Sequence, residues 1–149
     1  MFREGKFSYS DPTLTINQNQ FLLTNPSWII IDKDSEHTYE LTSTKANMNN
    51  SSEEFLITGP LFKTLLKDKI ENSISSDEAK LKLNEKKLVM MKKVHLKLPQ
   101  TNGTIHLYTE LLNLDLKNNL AYTKYEVEVR SDYFELRGEG FELKENSKG

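Results

Sequence analysis

The chain contains no cysteine in its 149 residues. That excludes disulfides, thiol nucleophiles and cysteine-ligated zinc. It leaves the compartment open, because a chain without thiols suits reducing and oxidising spaces alike. Positive charge is not in excess either: the net charge is −2 and the pI is near 6.0. Binding to nucleic acid is disfavoured on that ground. No apolar run approaches the roughly 18 residues of a membrane-crossing helix. The opening Met1-Phe2-Arg3-Glu4-Gly5 reads as neither an anchor nor a secretion signal. A glycine-rich phosphate loop and a G-x-S-x-G elbow are both missing.

Histidine is scarce. His37, His95 and His106 form no H-E-x-x-H pattern and no i, i+4 pair. His95 and His106 fall at polar positions of alternating stretches, which a solvated strand face explains. Asp32-Lys33-Asp34-Ser35-Glu36 spaces acids like a calcium loop but lacks its glycine and distal glutamate, so turn acids are the better reading. No carboxylate pair stands out for glycoside chemistry. The expectation is a protein with no catalytic residues, no metal and no cofactor.

Hydrophobic residues make up 36% of the chain and charged residues 28%, a polar but not disordered composition. The length suffices for one domain with a core, taken as residues 1–149. No linker divides it, and Glu145 to Gly149 read as a frayed end.

The chain repeats itself. "FLLTNP" at 21–26 and "FLITGP" at 55–60 share four of six positions and both end in proline. The series continues at Leu88-Val89-Met90 and Leu120-Ala121-Tyr122, with starts 34, 33 and 32 residues apart. A second marker runs alongside, closing at Ala46, Ala79, Leu112 and Phe141. A period near 33 also fits helical repeats, but the residues alternate. "VHLKL" (94–98), "LNLDLK" (112–117), "YEVEVR" (125–130), "FELR" (134–137) and "FELK" (141–144) carry the period of a strand with one buried face. "LFKTLLKDKI" (61–70) and the stretch from Ser75 to Val94 have helical features. They are assigned to strands by the register of the repeat. Turns fall at Asp32-Lys33-Asp34, Lys67-Asp68-Lys69, Pro99 to Gly103 and Lys117-Asn118-Asn119. The prediction is all-β: one antiparallel open jellyroll or sandwich of successive strand pairs, about eight or nine strands in all. The prolines are expected at strand breaks or edges.

One apolar face recurs. Its residues are Leu41, Phe55, Ile57, Leu81, Leu83, Val94, Leu96, Leu98, Leu107, Leu114, Leu116, Val127, Val129, Phe134 and Leu136. In a closed globule they are core. In an open sandwich they would line a groove, where acyl chains gain up to about 0.8 kcal/mol per buried CH₂. Lys80, Lys82, Lys86, Lys87, Lys92, Lys93 and Lys97 crowd one region. They read as solvated edge residues that discourage aggregation, or as a rim for phosphates.

"YELTSTKANMN" (39–49), "SISSDEAKLKLNEKKLVMMKKVHLKL" (73–98), "TIHLYTELLNLDLKNNLAYTKYEVEV" (104–129) and "FELRGEGFEL" (134–143) together resemble the LptC family of lipopolysaccharide export proteins. The likeness runs over about residues 8–143 and lies in the succession of strands, ending at Gly138-Glu139-Gly140. Gly59 has the family's glycine after the second strand, while the next copy has Lys92 instead.

The resemblance implies an incomplete jellyroll in the periplasm. It would hold lipid A acyl chains inside and relay lipopolysaccharide without catalysing a reaction. The interior candidates are Leu41, Phe55, Ile57, Leu81, Leu83, Val94, Leu96, Leu98, Leu107, Leu114, Val127 and Phe134. Family members are anchored by one helix in the inner membrane, which makes this chain the expected soluble part. They contact an LptB/LptF/LptG-type ABC transporter and the bridge protein LptA. The LptA contact would use a C-terminal edge including Phe134, Leu136, Gly138, Gly140 and Phe141, by strand addition. Self-association through such edges is expected as well. The alternatives are the bridge LptA itself, a carbohydrate-binding module stacking sugars on Trp28, Tyr108 and Tyr122, and a purely structural β-assembly.

Overall fold

The computed structural model describes residues 20–32, 36–49 and 54–144. The acidic turn at 33–35 and the end at 145–149 lie outside them. Twelve strands form, and no helix occurs among the described residues: β1 (Gln20–Thr24), β2 (Ser27–Asp32), β3 (His37–Thr42), β4 (Lys45–Asn49), β5 (Glu54–Thr58), β6 (Leu61–Leu66), β7 (Lys69–Ser75), β8 (Glu78–Lys82), β9 (Lys87–Gln100), β10 (Gly103–Asp115), β11 (Leu120–Arg130) and β12 (Glu135–Lys144). All pairings are antiparallel.

The pairings make one sheet folded along a crease into two facing layers. The first layer runs β1-β4-β5-β8 and the second β2-β3-β6-β7, and both join β9. The N-terminal half of β9 pairs with β8 and its C-terminal half with β7. Strands β9 to β12 then belong to both layers. Each bends where its pairing register shifts: between Thr109 and Leu111 on β10, and between Thr123 and Glu126 on β11.

The crease explains the sequence repeat. It is crossed at Asn25-Pro26, Ser43-Thr44, Gly59-Pro60, Ser76-Asp77, Lys92-Lys93, Glu110, Lys124-Tyr125 and Gly140. One period carries the chain across and back. The fifth residue of the hexapeptide is the crossing point, and in the first three copies it is left-handed: Asn25 at φ 52°, Gly59 at φ 61° and Lys92 at φ 67°. Backbone hydrogen bonds continue through the fold. Asn25 N–H donates to Thr44 O at 2.9 Å, Thr44 N–H to Thr58 O at 3.1 Å, Gly59 N–H to Asp77 O at 2.9 Å and Asp77 N–H to Lys92 O at 2.9 Å. Pro26 and Pro60 follow the crossing residue and donate nothing, so β1 and β2, and β5 and β6, are separate strands. At Lys92-Lys93 no proline intervenes and β9 runs on. The expected eight or nine strands therefore match eight creased strands, four of which break at the crease to give twelve.

Alternation fills the interior. Tyr39 and Leu41 of β3, Phe62 of β6, Ile74 of β7, Leu81 of β8, Leu88 and Met90 of β9, Leu107 and Leu112 of β10 and Val127 of β11 are all buried in one cluster. Each large side chain so buried contributes roughly 1.5–3 kcal/mol. Lys67 and Asp68, both at positive φ, close β6 and β7 as a two-residue hairpin. The helix-like stretches 61–70 and 75–94 are strands and turns, because one buried face of a sheet outweighs local helix propensity.

Candidate functional site

The two layers close on the crease side and face each other at a mouth opposite. At the N-terminal end of the sandwich, Trp28 of β2, two residues past the crossing at Pro26, meets Phe55 of β5 edge to face, with ring centres 5.3 Å apart. Further along, Tyr39 of β3 donates a hydrogen bond to the Asn119 side-chain oxygen in the β10–β11 turn. Those residues lie 80 positions apart in sequence and on opposite layers. Tyr39 also stacks on Phe62, ring centres 5.6 Å apart. Around this latch the walls are Phe62, Ile74 and Leu96 from the second layer and Leu114, Leu116 and Leu143 from the first. The space left between them is only about 40 Å³. That is room for a water molecule or two, not an acyl chain.

The structure gathers most of the interior candidates. Leu41, Phe55, Ile57, Leu81, Val94, Leu96, Leu107, Leu114 and Val127 are buried in the common cluster, and Leu98 is half-buried against it. Two candidates are not interior. Leu83 lies in the β8–β9 turn and is 41% exposed, while Phe134 precedes β12 and is 42% exposed. In both cases the alternation was carried past the end of a strand. Residues outside that list include Leu88, Met90 and Leu112, all wholly buried. Leu88 and Met90 were legible as alternate positions of "LVM", but their helix-forming surroundings masked the signal.

The lysines do not form one rim. Lys80, Lys87 and Lys97 alternate with buried neighbours on the outer faces, Lys86 sits in a turn, and Lys92 and Lys93 occupy the crease. Lys92 pairs with Glu78 at 3.0 Å and Lys82 with Glu54 at 3.9 Å. The three aromatics offered for sugar stacking are scattered too. Trp28 is turned inward against Phe55. Tyr108 has His95 stacked on it, with ring centres 4.6 Å apart. Tyr122 stands alone on β11, partly exposed.

Strand β12 pairs with β11, and among the described residues its other edge has no partner strand. Gly138 and the exposed Leu136 lie along it, while Phe141 packs half-buried on the core. Gly140, at φ 88°, makes the crossing of the crease, and a Cβ there would meet the Thr123 carbonyl at 3.6 Å.

These features define the class of creased antiparallel β-jellyrolls with a continuous apolar interior and unpaired end strands. Within that class, the family described as lipopolysaccharide-assembly, LptC-related, matches residues 6–148, and the chain belongs to it. The protein is thus a lipopolysaccharide-transport component. No curated protein matches the chain.

Proposed function

We propose that the protein holds the acyl chains of lipid A between its two layers and passes lipopolysaccharide along the jellyroll. The transfer would run from an inner-membrane ABC transporter to a bridge protein of the LptA kind, on the periplasmic side of an anchored full-length protein, with no chemical step. The observation that carries this reading is the continuous apolar interior between the two layers, which also touch at an aromatic contact and a side-chain hydrogen bond. Trp28 meets Phe55, and Tyr39 bonds to Asn119. The space beside the Tyr39–Asn119 latch is too small for a chain, so loading there requires the layers to part. Opening breaks that hydrogen bond and that aromatic contact, each on the order of 1 kcal/mol, and also parts facing side chains of the buried cluster. Apolar burial of the incoming chain, at about 0.8 kcal/mol per CH₂, acts against that cost and covers the parted side chains again.

The edge of β12 is the proposed contact for the bridge protein, because its unpaired backbone groups accept a further strand. The family match favours this reading over that of the bridge protein itself. Photoreactive residues at Leu96 and Ile74, inside the mouth, should label lipopolysaccharide, while one at the exposed Leu83 should not. Tyr39→Phe should raise the labelling by loosening the latch. Labelling confined to Leu83 would refute an interior site.

A further inference from the structure

The outer face of the second layer carries an arrangement that the transport reading does not use. His95 of β9 and His106 of β10 are diagonal neighbours across a pairing in which Tyr108 is opposite His95 and His106 is opposite Lys97. His95 Nε2 lies 2.8 Å from His106 Nδ1. The ring centres are 5.0 Å apart and the planes differ by 24°. A nitrogen separation that short with ring centres so far apart means the rings meet head to head. The contact is therefore an N–H···N hydrogen bond. It differs from a chelating pair, whose lone pairs would converge on a third point.

Such a bond holds one proton between its two nitrogens. A first added proton goes to the outer nitrogen of the donor ring and makes the bond charge-assisted. A second must go onto the acceptor nitrogen. It then opposes N–H to N–H and the bond is lost. The surroundings resist that step. On β9 the neighbour is Lys97. On β10 Tyr108 stacks against His95. On β11 the Arg130 guanidinium lies 5.5 Å from the Tyr108 ring centre, and Glu128 is ion-paired to both Arg130 and Arg137. On β7 the residues opposite His95 and Lys97 are the neutral Ser75 and Ser73. On β12 Glu135 bonds Arg130 at 3.5 Å. Burial, His106 and Lys97 all hold the His95 imidazole below its ordinary value.

The position matters because of the link next to it. β7 joins β9 over three residue pairs only, Ser73–Ser75 against Lys97–His95, the shortest pairing among the described strands. Among the described strands, this is the one pairing that joins the β2-β3-β6-β7 half of the second layer to β9. We infer that the His95–His106 pair is a one-proton clasp beside this seam, so that protonating both rings removes the side-chain tie between β9 and β10, leaves their backbone pairing in place, and loosens the second layer at the adjoining β7–β9 link. Acid would then favour an opened layer, and neutral conditions a closed one.

The test is made on the intact chain. Imidazole ¹⁵N resonances of His95 and His106 are followed from about pH 7.5 to about pH 4.5, with amide exchange at Ser73–Ser75 and His95–Lys97 normalised to intrinsic rates. Two linked titration steps are expected, the second below the ordinary histidine range. Seam protection should fall roughly five- to tenfold across that second step, the weight of one hydrogen bond. His106→Gln keeps a hydrogen-bonding partner but cannot take the second proton, so its seam protection should not change with pH. Independent titrations of the two rings would overturn the inference. So would linked titration with unchanged seam protection, or a loss of protection that persists in His106→Gln.

Discussion

Lys92 occupies the crossing position that Gly59 and Asn25 hold in earlier repeats, at φ 67°. A left-handed conformation costs an L-residue with a Cβ roughly 1–2 kcal/mol. Glycine escapes that cost but gives back about 0.4–1 kcal/mol through its freer unfolded state. The Lys92–Glu78 ion pair complicates a direct comparison, though both side chains are about half exposed or more, and pairs of this kind are worth little. Lys92→Ala removes the pair and keeps the strain, whereas Lys92→Gly removes both. The difference between these two variants isolates the backbone. Lys92→Gly should be more stable than Lys92→Ala by about 0.5–1 kcal/mol. For a urea slope of about 2 kcal/mol/M, the midpoint moves by about 0.3–0.5 M. The converse holds at the second crossing. Gly59→Ala places a Cβ 3.3 Å from the Thr44 hydroxyl at φ 61°, so it should lose about 1 kcal/mol or slightly more. Urea denaturation of the four proteins reads both effects. If Lys92→Ala is as stable as Lys92→Gly, the crease does not impose a left-handed residue and the account of the repeat fails.

Two further expectations concern the core and pH. Leu81→Ala empties a site with 0% exposure and should cost about 3–5 kcal/mol in denaturant titrations. Leu83→Ala, two residues on in a turn, should change stability by under about 1 kcal/mol, and equal losses at both would place the core boundary wrongly. His95 is held below the usual imidazole value in the folded state, so the unfolded chain takes up its proton first as pH falls. The stability it confers is present above about pH 6.5 and is lost on descending through the depressed value. Thermal unfolding across that window should be flatter in His95→Gln, and an unaltered profile would count against the assignment.

Much of the architecture was written in the chain because its period of about 33 is a physical length, two crossings of one crease. The alternation that marked Leu41, Ile57, Leu96 and Val127 as one face is the alternation that buries them. It failed at Leu83 and Phe134, where the strand had ended but the apolar spacing continued. The crossing points themselves were harder to see. Lys92 and Lys124 carry none of the turn chemistry that Asn25-Pro26 and Gly59-Pro60 advertise, and a bulge inside a long strand leaves little trace in composition. The mouth was not legible at all, since Tyr39 and Asn119 meet only after the sheet has folded on itself. The histidine pair was likewise hidden. Each ring sits at an ordinary polar position, and only the β9–β10 register brings the two nitrogens together.

The crease also sets how such a protein can change in size. Each period adds one strand outward and one back, joined to its predecessor by the same ladder of backbone bonds. A duplicated period inserted in register would extend both layers by two strand spacings, about 9.5 Å, and leave every existing crossing in place. A deletion of about half a period would instead leave a crossing without its return and put the following strands in the wrong layer. Length in this architecture is thus quantised. Homologous chains should differ by whole outward-and-back units or by loops at the mouth, and seldom by a single strand.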